Sequence, residues 1–495
     1  MIRRWLFCAL VLPGLVTGAG KDQVRQPAVA GTFYPGDAKE LAAMVDGFLA
    51  KVSEPAVPDL VALVAPHAGY PYSGGVAAYS YALLKGKKYT RVVVIAPSHV
   101  DAFGFSSVYD GAAYATPLGR IPVDRDFAAK LAGKPGIKLS SRGHQTGGER
   151  GEHALEVQLP FLQRTLGQFQ LVPVVMGDQS YDSCRALGLA LARLIQGNDT
   201  LIVASSDLSH FHSYEEAVKL DRKTLQAIEE WDYLSMARNF ESQTWEACGG
   251  GPIVAAMIAA ERLGATRAKV LKYANSGDVT SDRTRVVGYG AVAISKAPHR
   301  GTEAGRKFDL TAAERAELLH IARKSVEAAV KDHKLYDWHG SQFPALMQER
   351  GAFVTLKKHG QLRGCIGYPS PIKPLGLTVR DVAAMAAVQD SRFRPVTVAE
   401  LDQLEYEISV MSPLRRVLDI KQIQVGRHGL VMKQGRREGL LLPQVPVEQG
   451  WDLTTFLDET CLKAGLPQGA WKDPETDIFM FTSLVFGEST PRRSQ

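Results

Sequence analysis

Short, almost wholly apolar runs at Leu60–Ala65, Arg91–Ala96, Phe169–Met176, Leu201–Ala204 and Val286–Ile294 alternate with helical patterns at Ala38–Ala50, Ala154–Leu166, Ser183–Ile195, Tyr214–Ile228 and Pro252–Leu263. Apolar runs this short, bounded by turn residues, read as strands buried on both faces, and their alternation with helices implies a largely parallel sheet covered by helices. In such a sheet the residues just past the carboxyl ends of the strands converge on one crevice, where ligands bind. Here the first run ends in Pro66-His67, the second in Pro97-Ser98-His99, and the fourth in Ser205-Ser206-Asp207-Leu208-Ser209-His210. Cys248 stands ahead of Gly249-Gly250-Gly251-Pro252, at the expected start of a helix. A metal site in that crevice is the leading expectation.

The pattern ends at the polar stretch Pro298 to Lys307, which reads as a linker, and a chain of 495 residues is too long for one core. Beyond it a long helix, Thr311 to Lys331, precedes the strands Ala352–Lys357 and Gln361–Ile366, joined at His359-Gly360 as a hairpin. A helix at Leu375–Gln389, a strand at Glu405–Met411, a second hairpin pairing Gly429–Met432 with Leu440–Leu442, and a helix at Asp452–Ala464 complete an α+β half. The expected organisation is therefore a leader at 1–21, an α/β domain at 25–296, a linker at 297–307 and an α+β domain at 308–488.

The leader expectation rests on Arg3-Arg4, the apolar stretch Trp5 to Val16 and the small residues Thr17-Gly18-Ala19-Gly20, the pattern of an export signal. It implies a periplasmic or secreted protein, or a cytoplasmic one if the segment is not a signal, and no later segment is apolar enough to span a bilayer. Cys184, Cys248, Cys365 and Cys461 then remain, without metal-knuckle or C-x-x-C spacing, leaving disulfides and free or metal-bound thiols both open. A net charge of +6, not gathered into a basic run, does not imply nucleic acid. The glycines near Tyr70, Tyr72 and Ser73 lack the spacing of a dinucleotide or Walker loop, and are expected to form a tight loop beside His67.

Neutral imidazoles of His67 and His99 suit iron, copper and zinc, and a Cys248 thiolate would be favoured by the helix amino end. The alternatives are structural histidines and a small buried residue at a glycine turn. Asp207 and His210 would complete the crevice as a proton-handling pair or as supports, or the serines and Asp207 would cap a helix. Glu152-His153 either line the crevice or cap the helix that carries Glu156. In the second half, Arg363 and Cys365 share one strand face, so Arg363 would favour a Cys365 thiolate or fix an anion, unless the glycines around them serve close packing. Asp390, Arg392 and Arg394 would add charge nearby.

The runs Ala28-Val29-Ala30-Gly31-Thr32-Phe33-Tyr34-Pro35, Pro66-His67-Ala68-Gly69-Tyr70-Pro71-Tyr72-Ser73-Gly74, Ala96-Pro97-Ser98-His99, Glu152 to Phe161 and Ser205 to His210, with Cys248-Gly249, resemble the Memo family over residues 25–296. The resemblance implies the fold of class III (LigB-type) extradiol dioxygenases, with His67, His99 and Cys248 as ligands of one mononuclear copper or iron and Asp207 and His210 as the adjacent catalytic pair. Cysteine stands where those dioxygenases have a carboxylate ligand, which puts ring cleavage in doubt. Residues 308–488 resemble the AMMECR-type domain through Leu362 to Gly367, Asp390 to Pro395, Glu407 to Pro413, Gly439 to Val445 and Cys461 to Pro467. Modules of these two families are parts of the AmmeMemoRadiSam system, so the double resemblance implies a fusion of two of its members, with a radical-SAM partner and a small-molecule or protein substrate. Fusion would raise the effective concentration of each module for the other. An export signal departs from that system, because radical-SAM chemistry needs a reducing compartment.

Overall fold

A computed structural model describes residues 22–53, 57–147, 151–296, 309–369 and 371–488, so the expected leader and linker lie outside the described residues. The described residues form two compact units, one from those between 22 and 221 together with 246–296, the other from 222–245 together with those between 309 and 488. Among the described residues no helix is long and apolar enough to cross a membrane.

The first unit is built on a nine-stranded mixed sheet. Its centre is parallel, in the order Leu60–Ala65, Thr200–Ser205, Arg91–Pro97, Gln170–Met176. Nearly every residue of these strands is buried, as the continuous apolar runs require. Val286–Ser295 flanks Leu60–Ala65 in antiparallel sense and itself pairs with Arg267–Asn275. The latter strand carries Arg267, Lys269 and Lys272 and is half-buried over most of its length, so no continuous apolar run announces it. A separate three-stranded sheet joins Val24–Arg25, Ala113–Thr116 and Gly119–Pro122.

The expected glycine loop after His67 is instead a helix, Tyr70–Ala82. Proline in its first turn fits helical backbone. Gly74 serves packing rather than a turn, because a Cβ there would lie 2.6 Å from the Phe48 ring. The expected helix at Ala154–Leu166 resolves into a 3-10 turn, Glu156–Gln158, and a helix, Leu159–Leu166, with Pro160 in its first turn.

The second unit contains a seven-stranded antiparallel sheet. Its order is Gln361–Tyr368, Ala352–Lys358, Leu404–Met411, Asp477–Gly487, His428–Gln434, Arg437–Leu441, with Arg415–Arg416 beside Asp477–Gly487. The hairpin turn falls at His359 and Gly360, whose φ of 52° and 75° match the twist of the two strands. A reciprocal box between Thr311 and Glu314 caps the helix Ala312–Lys331, and Leu375–Val388 packs with it over a core that includes Val354, Leu356 and Ile408.

Candidate metal centre

Sheet register brings the strand-end residues together. Ala65 pairs with Ser205 and Ile95 with Ala204, so His67, Asp207 and Ser98-His99 emerge from three neighbouring strands. Cys248 reaches the same place from the turn before the buried helix Gly250–Arg262. That turn lies so close to the strand end that a Cβ on Gly249 would stand 2.2 Å from the Ser205 carbonyl oxygen. Glycine is therefore required here for close approach. The Gly249 N–H donates to Ser206 Oγ at 3.0 Å, and Gln179 holds the turn by donating to the Cys248 carbonyl and accepting from the Gly251 N–H.

Cys248 Sγ lies 3.2 Å from His67 Nε2, and one ligand atom each of His67, His99 and Cys248 falls within 4.8 Å of the others. The Asp207 N–H donates to the sulfur at 3.3 Å. Burial, followed by the neighbouring His99, lowers the His67 pKa, while burial and Asp207 raise that of the Cys248 thiol. The pair is thus a neutral imidazole beside a neutral thiol, not a preformed thiolate and imidazolium. Asp207 Oδ1 accepts from the His67 and Ala68 N–H groups, and its Oδ2 lies 4.0 Å from His67 Nε2. Burial raises the Asp207 carboxyl against those hydrogen bonds and the nearby His210. His210 donates Nδ1–H to the Leu208 carbonyl at 2.8 Å. The loop that carries Asp207 and His210 is held from behind by Asp221, which accepts from the Ser209 N–H and from the Tyr273 hydroxyl.

Glu152 and His153 prove to be part of this constellation. Glu152 accepts from the His99 N–H at 2.6 Å and stands 3.2 Å from His99 Nδ1. Burial opposes its charge, but the side-chain and backbone hydrogen bonds it accepts from His99, with that from Ala154, outweigh it and bring the carboxyl down to about 2. The His153 ring stacks on His99 at 4.8 Å, with Phe33 at 4.6 Å. Burial, then His67 and His99, lowers the His153 pKa to about 4. His99, Glu152 and His153 form a second group with metal-compatible donors. Glu152 already accepts from the backbone N–H groups of His99, His153 and Ala154, so it is a support for His99 and not a free ligand. The sequence offered His153 as a crevice-lining candidate and Ser205 only as a cap, and gave no sign of Gln158, since the contacts of Ser205 and Gln158 depend on which residues meet across the sheet end.

Among the described residues Cys184, Cys248, Cys365 and Cys461 form no disulfide. In the second unit the structure decides between the two readings of Arg363 and Cys365 in favour of close packing, because the two side chains have different partners. Arg363 forks onto Glu400 with two contacts of 3.1 Å and donates to the Arg394 and Pro395 carbonyls. Cys365 stands against Thr355, and burial raises its thiol pKa. Gly364 lies 2.2 Å, measured from an added Cβ, from the Ala386 carbonyl oxygen, so this strand serves close packing. Asp390 accepts from the Cys365 N–H and pairs with Arg392.

An α/β unit with two histidines just past the ends of its parallel strands and a cysteine at the head of a helix beside them, joined to an α+β unit, defines the class. The chain matches the family described as Memo-like protein over residues 25–293 and belongs to it. Residues 319–486 match the AMMECR1 family, so the chain is a Memo-like protein fused to an AMMECR1 domain. A MEMO1 family protein of Methanopyrus kandleri is 36% identical over 285 residues, which is 55% of this chain and 99% of the relative. One from Aeropyrum pernix is 38% identical over 286 residues, 55% of this chain and 100% of the relative. The crystal structure of the uncharacterized protein PH0010 from Pyrococcus horikoshii is 42% identical, covering 35% of this chain and 91% of that one, with a TM-score of 0.34.

Proposed function

We propose that the chain holds one copper or iron ion on His67, His99 and Cys248 and is a redox metalloprotein. The observation that carries this reading is the gathering of one ligand atom from each of the three within 4.8 Å. The donor set fits the proposal, since two imidazoles and a sulfur suit copper or iron and not magnesium or calcium. When bound, the ion would supply one-electron chemistry at coordination positions left open by three protein ligands. Asp207 and His210 would take and return protons beside it, with Asp207 anchored by the His67 and Ala68 N–H groups. His153, stacked on His99, would wall the crevice.

Two other readings are separated by experiment. A metal-binding or scaffolding protein would take up the ion without turnover. A cysteine nucleophile is favoured by the 3.2 Å approach of Cys248 to His67, but the raised thiol and lowered imidazole weigh against a ready thiolate. The test is anaerobic loading with Cu(I) or Fe(II), followed by oxygen-uptake and peroxide-consumption assays. Uptake that disappears on chelation supports the redox reading. A loaded but inert protein supports the scaffold, and substrate hydrolysis indifferent to chelation supports the nucleophile.

A further inference from the structure

One short segment, Glu152 to Gln158, reaches the Nδ1 side of both candidate ligand histidines, directly through Glu152 for His99 and by way of Ser205, which Gln158 contacts, for His67. The donor and acceptor inventory on the His67 side has a single solution. Gln158 is fully buried, and its amide nitrogen faces the carbonyls of Ala65 and Pro66 at 3.3 and 2.9 Å. Two carbonyls accept only, so the NH2 end must lie on that side, leaving Oε1 to accept from the Tyr81 hydroxyl at 2.6 Å. The same NH2 group donates to Ser205 Oγ at 2.7 Å. Ser205 has one proton, and it goes to the Ala154 carbonyl at 2.6 Å, which also only accepts. Ser205 Oγ can therefore only accept from its third neighbour, His67 Nδ1, at 2.9 Å.

On the His99 side the carboxylate of Glu152 is likewise an acceptor, at 3.2 Å from Nδ1. We propose that the Glu152–Gln158 segment fixes both His67 and His99 in the Nδ1–H tautomer, so that each presents a bare Nε2 lone pair to the crevice. Gln158, Ser205 and Glu152 are positioning residues, with Tyr81 the anchor of the longer relay. The consequence for metal binding rests on the function proposed above; the tautomers themselves do not. One segment then prepares two ligands that come from two different strands, and a single displacement of it would disturb both.

The test begins with the metal-free protein, using long-range 15N–1H NMR of the imidazoles, which reports the protonated nitrogen directly. His67 and His99 should both show Nδ1–H. Ser205→Ala should move His67 toward Nε2–H and weaken copper or iron binding about 10- to 100-fold, the usual effect of losing such a support. Ser205→Thr, which keeps the hydroxyl, should retain both properties. Glu152→Ala should shift His99 alone, which keeps the proposal testable if Ser205→Ala does not fold. Nε2–H at His67 in the wild type, or tautomers unchanged in both alanine variants, would overturn the proposal. The expected tautomers in a protein that takes up no copper or iron would support the tautomer lock and overturn the metal reading instead.

Discussion

Removing the Arg25 side chain should destabilise the first unit more than any single surface change, because it leaves a carboxylate buried without its counter-ion. Arg25 is 3% exposed and Glu156 0%, and Arg25 Nη1 meets Glu156 Oε2 at 2.6 Å. The guanidinium also donates to the His144 carbonyl at 3.0 Å and, from Nη2, to that of Glu152. Glu156 keeps the Ala28 and Val29 N–H groups and the Tyr34 hydroxyl, which cannot replace a full positive charge. Breaking such a pair from one side costs about 3–5 kcal/mol. At about 2–4 °C per kcal/mol for a unit of this size, Arg25→Ala should lower its melting temperature by about 6–20 °C. Arg25→Lys keeps the charge but not the fork, and should fall between. Because Arg25 holds the carbonyl of Glu152, copper or iron uptake should weaken too. Differential scanning calorimetry of folded Arg25→Ala protein showing a change under about 2 °C, within about 1 kcal/mol, would refute the reasoning.

Acid should weaken the metal-free first unit well before ordinary carboxylates titrate. Burial, joined by Arg25 for His144 and by His67 and His99 for His153, holds these imidazoles at about 3 and about 4. The unfolded chain therefore binds more protons below about pH 6.5, so stability is complete above that pH and falls as pH drops toward 4; equal melting temperatures at pH 7 and pH 5 would contradict this. Gly249→Ala should abolish the site, since the new Cβ meets Ser205 backbone at 2.2 Å; a variant that folds and binds copper or iron like the wild type would show the turn to be pliable. Arg363→Ala should leave the alkylation rate of Cys365 unchanged within about twofold while destabilising the second unit by roughly 1 kcal/mol, because the guanidinium serves Glu400. A large change in thiol reactivity would restore the Arg363–Cys365 partnership.

The parallel strands were legible because a strand buried on both faces must be apolar throughout, and Leu60–Ala65 and Arg91–Pro97 leave little else to read. Their ends then brought His67, His99 and Asp207 to one edge without any knowledge of side-chain contacts. Arg267–Asn275 escaped because its charged and apolar residues mix on a half-buried edge. The helix Tyr70–Ala82 escaped because Gly74 and Gly75 read as a turn, when the space under Phe48 is what Gly74 serves. Contacts between residues far apart in the chain are a different kind of information. Gln158 reaching Ser205, or Arg363 turning to Glu400 instead of Cys365, depends on which loop lies opposite, and nothing local records it.

The central claim is tested most directly by elemental analysis of protein purified without an affinity metal and reconstituted with copper or iron, for the wild type beside Cys248→Ser and His67→Ala. Near-stoichiometric metal in the wild type that falls sharply in both variants is the predicted result. Wild type that takes up neither metal, or variants that hold as much of it as the wild type, would contradict a centre built on His67, His99 and Cys248.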